Sequence, residues 1–356
     1  MKVLKLSART LSVLVAATLS AGCGDGLQTS AAHNSAGVPA IAGAFHAFAG
    51  VRPPGPAHPS LHKSWVSADA RRERRLLFAS DSGLDEVDIY SLPGMKLEGQ
   101  LTGAGFNNPQ GMCSDTAGDV YVTETNNTEI DEYSHAGSLL ARYPDSIGFP
   151  IGCAVDPATG NLAVTDIVND GSGPGQVLIY SNPSTQPKLV SNPSQYFYYF
   201  AGYGPKSSLW VSGMNASGGY MLSRCSASSC STIGLSGGTV YYPGAVQWDA
   251  VHRSWVVFDQ RCRDTTAACS YPVSPNGVLG TATTYDSYKG GSDCDLIQGE
   301  IATDRRENVV GGDYEYCGAA ASTFNRWAYK AGGSPTKYAT LSSSYSVPNG
   351  VAISTR

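Results

Sequence analysis

Pro109-Gln110-Gly111-Met112-Cys113-Ser114-Asp115 is followed, after a turn, by Asp119-Val120-Tyr121-Val122-Thr123-Glu124 and then by Thr128-Glu129-Ile130-Asp131-Glu132-Tyr133. The same order returns 41 residues later. It now reads Pro150-Ile151-Gly152-Cys153-Ala154-Val155-Asp156, Asn161-Leu162-Ala163-Val164-Thr165-Asp166 and Gln176-Val177-Leu178-Ile179-Tyr180. Three short apolar runs bounded by turn formers, repeating every ~40 to 50 residues, are the pattern of a β-propeller blade. One such blade cannot bury both faces of its sheet, so further copies are expected.

They are present on both sides. Leu76 to Asp81 matches the second run and Val87 to Ser91 the third, but this first copy has no first run. Pro348-Asn349-Gly350-Val351-Ala352-Ile353-Ser354, at the other end of the chain, restates it. The C-terminal strand is therefore expected to complete the first blade and remove the open sheet edges. Aligned on the end of the first run, the copies fall at Asp115, Asp156, Gly204, Asp249, Asp304 and Ser354, in steps of 41, 48, 45, 55 and 50. The fold expected is all-β, a six-bladed propeller spanning 73–356. In the fifth copy Gly244 sits one place closer to its Pro243, which allows a bulge. That copy also carries the extra length, as an insertion over 260–293.

Composition agrees. In 356 residues, 41 Gly, 20 Pro and 20 Tyr accompany only 15% charged residues, which favours turns and strands over helices. A net charge of -5 gives no basic face for nucleic acid.

The N-terminus reads as a targeting segment, with a basic region at Lys2, Lys5 and Arg9 and an apolar region from Leu11 to Ala21. Leu19-Ser20-Ala21-Gly22-Cys23 resembles a bacterial lipobox, although Ser20 stands where that motif prefers Leu. The resemblance implies a signal peptide over 1–23, lipidation of Cys23 and anchoring in the cell envelope. Cleavage without lipidation would instead leave a secreted protein. Residues 24–72 are rich in Ala, Gly and Pro and read as a disordered tether. The eight remaining cysteines fit an exported protein. Proximity suggests the pairs Cys225–Cys230, Cys262–Cys269, Cys294–Cys317 and Cys113–Cys153. Their spacings do not match a structural zinc site.

The Pro-x-Gly-x-x-x-Asp run, the apolar second strand ending in an acid and the third strand ending in Tyr resemble the NHL-repeat and SMP-30/streptogramin-lyase group of six-bladed propellers. The resemblance covers about residues 76 to 354. It implies that the first strands line a channel and that second strands end together around one mouth. Five of those six ends are acidic: Asp81, Glu124, Asp166, Asp259 and Asp313, the sixth being Gly213. With Glu300 and Asn349 near first strands, they form a candidate ligand site for Ca²⁺ or another divalent cation. The alternative is that each acid caps its own turn through backbone N–H groups. The acids ending first strands, such as Asp115 and Asp249, read as turn formers on the opposite face.

Of the six histidines, four lie in the tether. His135 and His252 fall in turns on the opposite face, so the channel-side His of the lyases has no counterpart. The sequence also lacks a Ser nucleophile elbow and a phosphate loop. The expectation is a ligand- or partner-binding module without catalysis. Loop aromatics such as Tyr199, Tyr241 and Tyr242 could meet a small molecule, a carbohydrate or a protein at the mouth. The competing reading is a metal-dependent hydrolase of the lactonase type.

Overall fold

The computed structural model of the chain describes residues 63–102, 105–169, 173–262, 267–287, 295–304, 308–315, 321–341, 343 and 345–356, with the side chains of 295–304 and 315 outside that description. It is a six-bladed propeller. The first blade holds β1 (Trp65–Val66), β2 (Arg75–Asp81), β3 (Glu86–Ser91) and β4 (Leu97–Leu101). The second holds β5 (Pro109–Ser114), β6 (Val120–Glu124), β7 (Glu129–Tyr133) and β8 (Leu139–Pro144). The third holds β9 (Gly148–Val155), β10 (Leu162–Asn169), β11 (Gly173–Tyr180) and β12 (Lys188–Val190). The fourth holds β13 (Phe197–Gly204), β14 (Ser208–Met214), β15 (Tyr220–Cys225) and β16 (Cys230–Thr232). The fifth holds β17 (Pro243–Asp249), β18 (Ser254–Asp259), β19 (Ala268–Val273) and β20 (Thr283–Tyr285). The sixth holds β21 (Asp295–Asp304), β22 (Asn308–Glu315), β23 (Thr323–Ala328) and β24 (Lys337–Thr340). Finally β25 (Pro348–Thr355) pairs antiparallel with β2, Leu77 facing Ile353 and Phe78 facing Ala352, and supplies the first blade's inner strand. The inner strands touch in the order β25, β5, β9, β13, β17, β21 and back to β25, so the ring is closed.

Period-two alternation explains why each second strand is apolar throughout. Val120 and Val122 pack toward the first blade, while Tyr121 between them packs toward the third. Trp255 and Val257 face the fourth blade, and Val256 and Phe258 face the sixth. Each pair of neighbouring blades encloses one such cluster. Between the fourth and fifth blades Trp210 and Trp255 stack at 4.3 Å, with Arg224 over Trp210.

The Pro-x-Gly motif has two structural jobs. First, it stands where first and second strands change register, as between Pro109 and Met112, although the same change occurs without the motif between Tyr198 and Ala201. The bulge expected only in the fifth copy is thus a feature of every blade. It bends the inner strand where it enters the channel. Second, the glycine sits where neighbouring inner strands meet. A Cβ on Gly111 would strike the Ile151 carbonyl, one on Gly152 the Tyr199 carbonyl and one on Gly202 the Val246 carbonyl. One on Gly350 would strike the Gln110 carbonyl across the closure.

Two boundaries differ from the expected ones. The final residues of the 24–72 tether pack on the ring: β1 adds to the outer edge of β4 and Ala70 is fully buried against the first blade. The stretch expected as an insertion over 260–293 contains β19 and β20, so it is the outer half of the fifth blade. Residues 1–62, with Cys23, lie outside the described residues.

Disulfides join Cys113 to Cys153, Cys225 to Cys230 and Cys262 to Cys269. The first links the inner strands β5 and β9, and the second closes the β15–β16 hairpin. Cys294 and Cys317 lie outside the described residues. Such bridges fit an oxidising compartment. Among the described residues no helix is long and apolar enough to cross a membrane.

Candidate functional site

The channel has two mouths. The upper one carries the loops entering the first strands and the turns between second and third strands. The lower one carries the turns between first and second strands.

At the upper mouth the second-strand acids lie where the sequence places them, and all those whose side chains are described are buried. Each is engaged within its own blade. Asp81 Oδ1 accepts the backbone N–H of Gly83 (3.0 Å) and of Val347 (2.8 Å), the residue leading into β25. Glu124 Oε2 accepts the N–H of Asn107 (2.7 Å), two residues before β5. Asp259 accepts three, from Tyr241 (2.8 Å), Tyr242 (2.9 Å) and Arg261 (2.9 Å). The acid at the end of the second strand therefore fastens the loop that feeds the first strand of the same blade. Asp313 Oδ2 accepts Asn325 Nδ2 at 2.9 Å.

Two blades vary the device. In the third, Asp145 takes over the loop N–H groups of Ile147 (2.9 Å) and Gly148 (3.3 Å). Asp166 then lies against Asp145, and burial together with that second carboxyl holds Asp166 far above the usual carboxylate range. Two like charges oppose each other at such a place, which favours the protonated form of Asp166. In the fourth blade the acid is replaced by Gly213. Gln195 fills the space, donating to the Phe197 carbonyl (3.2 Å).

Asp259 receives donors on both oxygens, whereas Asp81 and Glu124 receive them on one, Asp81 Oδ2 and Glu124 Oε1 being buried without a hydrogen bond; among the described residues no three His, Cys, Asp or Glu side chains converge as a metal-binding set. Asn349 donates to Ser82 Oγ at 2.6 Å. The Glu300 side chain lies outside the described residues. Over the third to fifth blades this mouth is packed with a buried cluster including Ile151, Phe197, Tyr199, Phe200 and Tyr242. Tyr199 and Tyr242 are thus packing residues, while Tyr241 is exposed.

A repeated hydroxyl escaped the sequence reading. Ser80, Thr125, Thr165 and Ser212 each donate to an inner-strand carbonyl of the next blade: Gln110 (2.6 Å), Pro150 (2.8 Å), Tyr199 (2.5 Å) and Gly244 (2.8 Å). A Ser or Thr at or beside the end of the second strand in four copies was the available signal.

Burial also sets a pH dependence. Burial raises Asp81 to about 6 against its N–H bonds, above an unfolded value of 3.8. A raised acid stabilises the fold while protonated, and that contribution is lost as pH rises through about 6. Asp166 acts in the same direction. Melting temperature is therefore expected to fall from pH 4 toward pH 8. Asp166→Asn should stabilise the protein at pH 8 by roughly 1–2 kcal/mol, the worth of about one pKa unit, and much less at pH 4. Equal effects at both pH values would contradict a raised Asp166 carboxyl.

The lower mouth is different. A cavity of about 660 Å³ opens between the inner strands, lined by 112–116, 153–155, 201–203, 246–249 and 351–353. Asp115 Oδ1 accepts the N–H groups of Ala117 (2.9 Å) and Asp119 (2.8 Å), as a turn former does. Asp249 Oδ1 accepts those of Val251 and His252, both at 3.0 Å. Its Oδ2 receives His252 Nδ1 (2.7 Å) and the Tyr329 hydroxyl (3.0 Å). Burial opposes ionisation of Asp249, but the hydrogen bonds from His252 and Tyr329 outweigh it and hold the carboxyl below the ordinary range. The sequence placed His252 on this face but could not show that the channel opens there. His135 is structural, bonded to Ser354 Oγ (2.6 Å) and the Glu73 carbonyl (2.9 Å).

Comparison with known proteins agrees with the fold. The family model described as NHL repeat matches residues 106–130, the stretch around β5 and β6. A search of curated proteins returned no match. Among solved structures, a protein of unknown function from Bacteroides caccae is similar with a TM-score of 0.59 and 10% identity, over 79% of this chain and 99% of that one. A chain of a nidogen/laminin complex gives 0.59 and 12%, over 79% and 98%. A streptogramin B lyase structure gives 0.49 and 12%, over 83% and 87%. The chain is an NHL-like six-bladed β-propeller.

Proposed function

We propose that this chain is an exported, lipid-anchored propeller that binds a ligand or partner without catalysing a reaction on it. The observation that carries this reading is the engagement of the upper acids. A hydrolase of the lactonase type needs carboxylates free to hold a metal and polarise a substrate. Here Asp81, Glu124 and Asp259 accept the N–H groups of their own loops. The open cavity at the lower mouth supports binding, since preformed concave sites are the common form of ligand pockets. Export is supported by the disulfides, and the anchor by the lipobox-like run ending at Cys23. The ligand is a small molecule, a carbohydrate or a protein. Membrane contact runs through the anchor alone, and nucleic acid is not a partner.

The test is turnover. The purified chain, given aliphatic and aromatic lactones with Ca²⁺, Mn²⁺ or Zn²⁺, should hydrolyse none of them above background. Metal-dependent turnover that disappears in Glu124→Gln while the fold persists would establish the hydrolase instead.

A further inference from the structure

The lower cavity, at about 660 Å³, has the size of a small-molecule pocket, which typically spans roughly 300–1,000 Å³. Apolar side chains do not form its wall. Consecutive residues of an inner strand go to opposite flanks. Val351 and Ala352 enter different clusters between blades, as do Cys153 and Ala154, and Ala245 and Val246. What an inner strand turns toward the channel is its edge, because each is the terminal strand of its sheet, with a ladder partner on one side only.

The period of two decides which backbone groups face inward. The Asp156 N–H donates to the Asn161 carbonyl (2.9 Å), so the N–H and C=O of Val155 and Cys153 point away from β10. The Arg356 N–H donates to the Arg74 carbonyl (3.1 Å), and the same count turns Ile353 and Val351 away from β2. Ser114 Oγ of the second blade donates to that Ile353 carbonyl at 2.9 Å, as an outward-facing carbonyl allows. Backbone groups of this kind require a hydrogen-bonding occupant in the cavity.

Two side-chain acceptors stand at the rim. Asp249 Oδ2 holds His252 Nδ1 at 2.7 Å, and since a carboxylate only accepts, that bond's proton is on Nδ1. In the neutral ring Nε2 is then an acceptor, and it has no protein partner among the described residues. Asp115, on the other side of the ring in the second blade, binds both its turn N–H groups through Oδ1. Its Oδ2 has no hydrogen bond among the described residues. The cavity thus offers donors and acceptors together. A carboxylate guest only accepts and would face Asp115. An ammonium guest only donates and would leave the edge N–H groups unmet. Hydroxyls do both.

We propose that the lower cavity binds a small uncharged polyol, a sugar or a cyclitol. Its hydroxyls bond to the edges of β9 and β25 and donate to His252 Nε2 and Asp115 Oδ2. The proposal rests on the binding reading above and names the site and ligand class for it.

The experiment is ligand-observed saturation-transfer NMR on the full chain. The probes are myo-inositol, methyl α-D-glucopyranoside, D-glucuronate, which adds a negative charge, and cyclohexanol, which keeps a ring with one hydroxyl. At least one of the two uncharged polyols should saturate a single site, with glucuronate and cyclohexanol weaker by about tenfold or more. His252→Ala removes one acceptor. Asp115→Asn keeps an oxygen for the turn and replaces the other acceptor by a donor. Each should weaken the polyol roughly fivefold to tenfold, by loss of one hydrogen bond. Ala250 is an exposed turn residue in the lining, so Ala250→Trp obstructs the cavity without entering the core. It should weaken the polyol about tenfold or more while melting within about 2 °C of the wild type.

Lack of saturable binding by either polyol would leave the cavity to water and overturn the proposal. Polyol affinity unchanged in Ala250→Trp would place the site elsewhere and overturn it too. Glucuronate or cyclohexanol bound as tightly as the polyols would overturn the ligand class. None of these results touches the non-catalytic reading, which fails only on metal-dependent lactone turnover.

Discussion

A chain ending at Ser346 is expected to lose its cooperative thermal transition. The missing residues form β25, the inner strand of the first blade, which contributes the buried Val351 and Ala352. Its loss exposes the edge of β2 and the flanks of the two neighbouring inner strands. The cost rivals the whole stability of a domain, about 5–15 kcal/mol. The same joint can be probed by one side chain. Gly350 approaches Gly111 so closely that an added Cβ would lie 2.8 Å from the Gly111 Cα. Gly350→Val should therefore cost about 3 kcal/mol through overpacking, with the nearest backbone unable to move aside. Gly234 provides the control, because a Cβ added there would meet open space: Gly234→Ala should change stability by less than about 0.5 kcal/mol. A truncated chain that still melts cooperatively within a few degrees of the wild type would refute closure by β25.

The second large effect belongs to Asp259. Its two oxygens accept three backbone N–H groups, all from segments flanking the fifth blade's inner pair of strands. Asp259→Ala takes the acceptor from all three donors, of which the Tyr242 N–H is buried, at a cost of about 3 kcal/mol. Asp259→Asn keeps one acceptor oxygen and should recover part of the loss. Amide exchange separates a cap from a ligand residue. The Tyr241 and Tyr242 amides should lose protection in the Ala variant, because the entering loop is then released. Unchanged protection at both would show that the carboxylate does not hold that loop.

The ring was legible in the sequence because its causes are local. The Pro-x-Gly run recurs since every inner strand must bend at its entrance and pass close to the next one. The matching run at Pro348 gave away the closure for the same reason. Blade five was harder to read. Its third strand contains Pro272, which interrupts a strand pattern, yet the position is exposed and tolerated there. The N-terminal boundary was obscured because β1 is only two residues long.

The role of the acids was not legible. An Asp at a strand end looks the same whether it binds a cation or fastens a loop. Only the path of the incoming loop decides, and that path brings together residues as distant as Asp81 and Val347. Likewise, Asp249-x-x-His252 is a plain turn in sequence. It becomes notable because Tyr329, from the sixth blade, completes its contacts at the edge of the cavity.

The central claim is that the upper acids hold the fold and not a metal. The most direct measurement is the melting temperature of the wild-type chain in EDTA and in 5 mM Ca²⁺, about a hundredfold above the Kd of a site with roughly 50 µM affinity. A cation bound only by the folded state at about a hundred times its Kd would add about 2.7 kcal/mol, a rise of several degrees. The account predicts curves that coincide within about 1 °C. A rise of several degrees that vanishes in Asp81→Asn would contradict it.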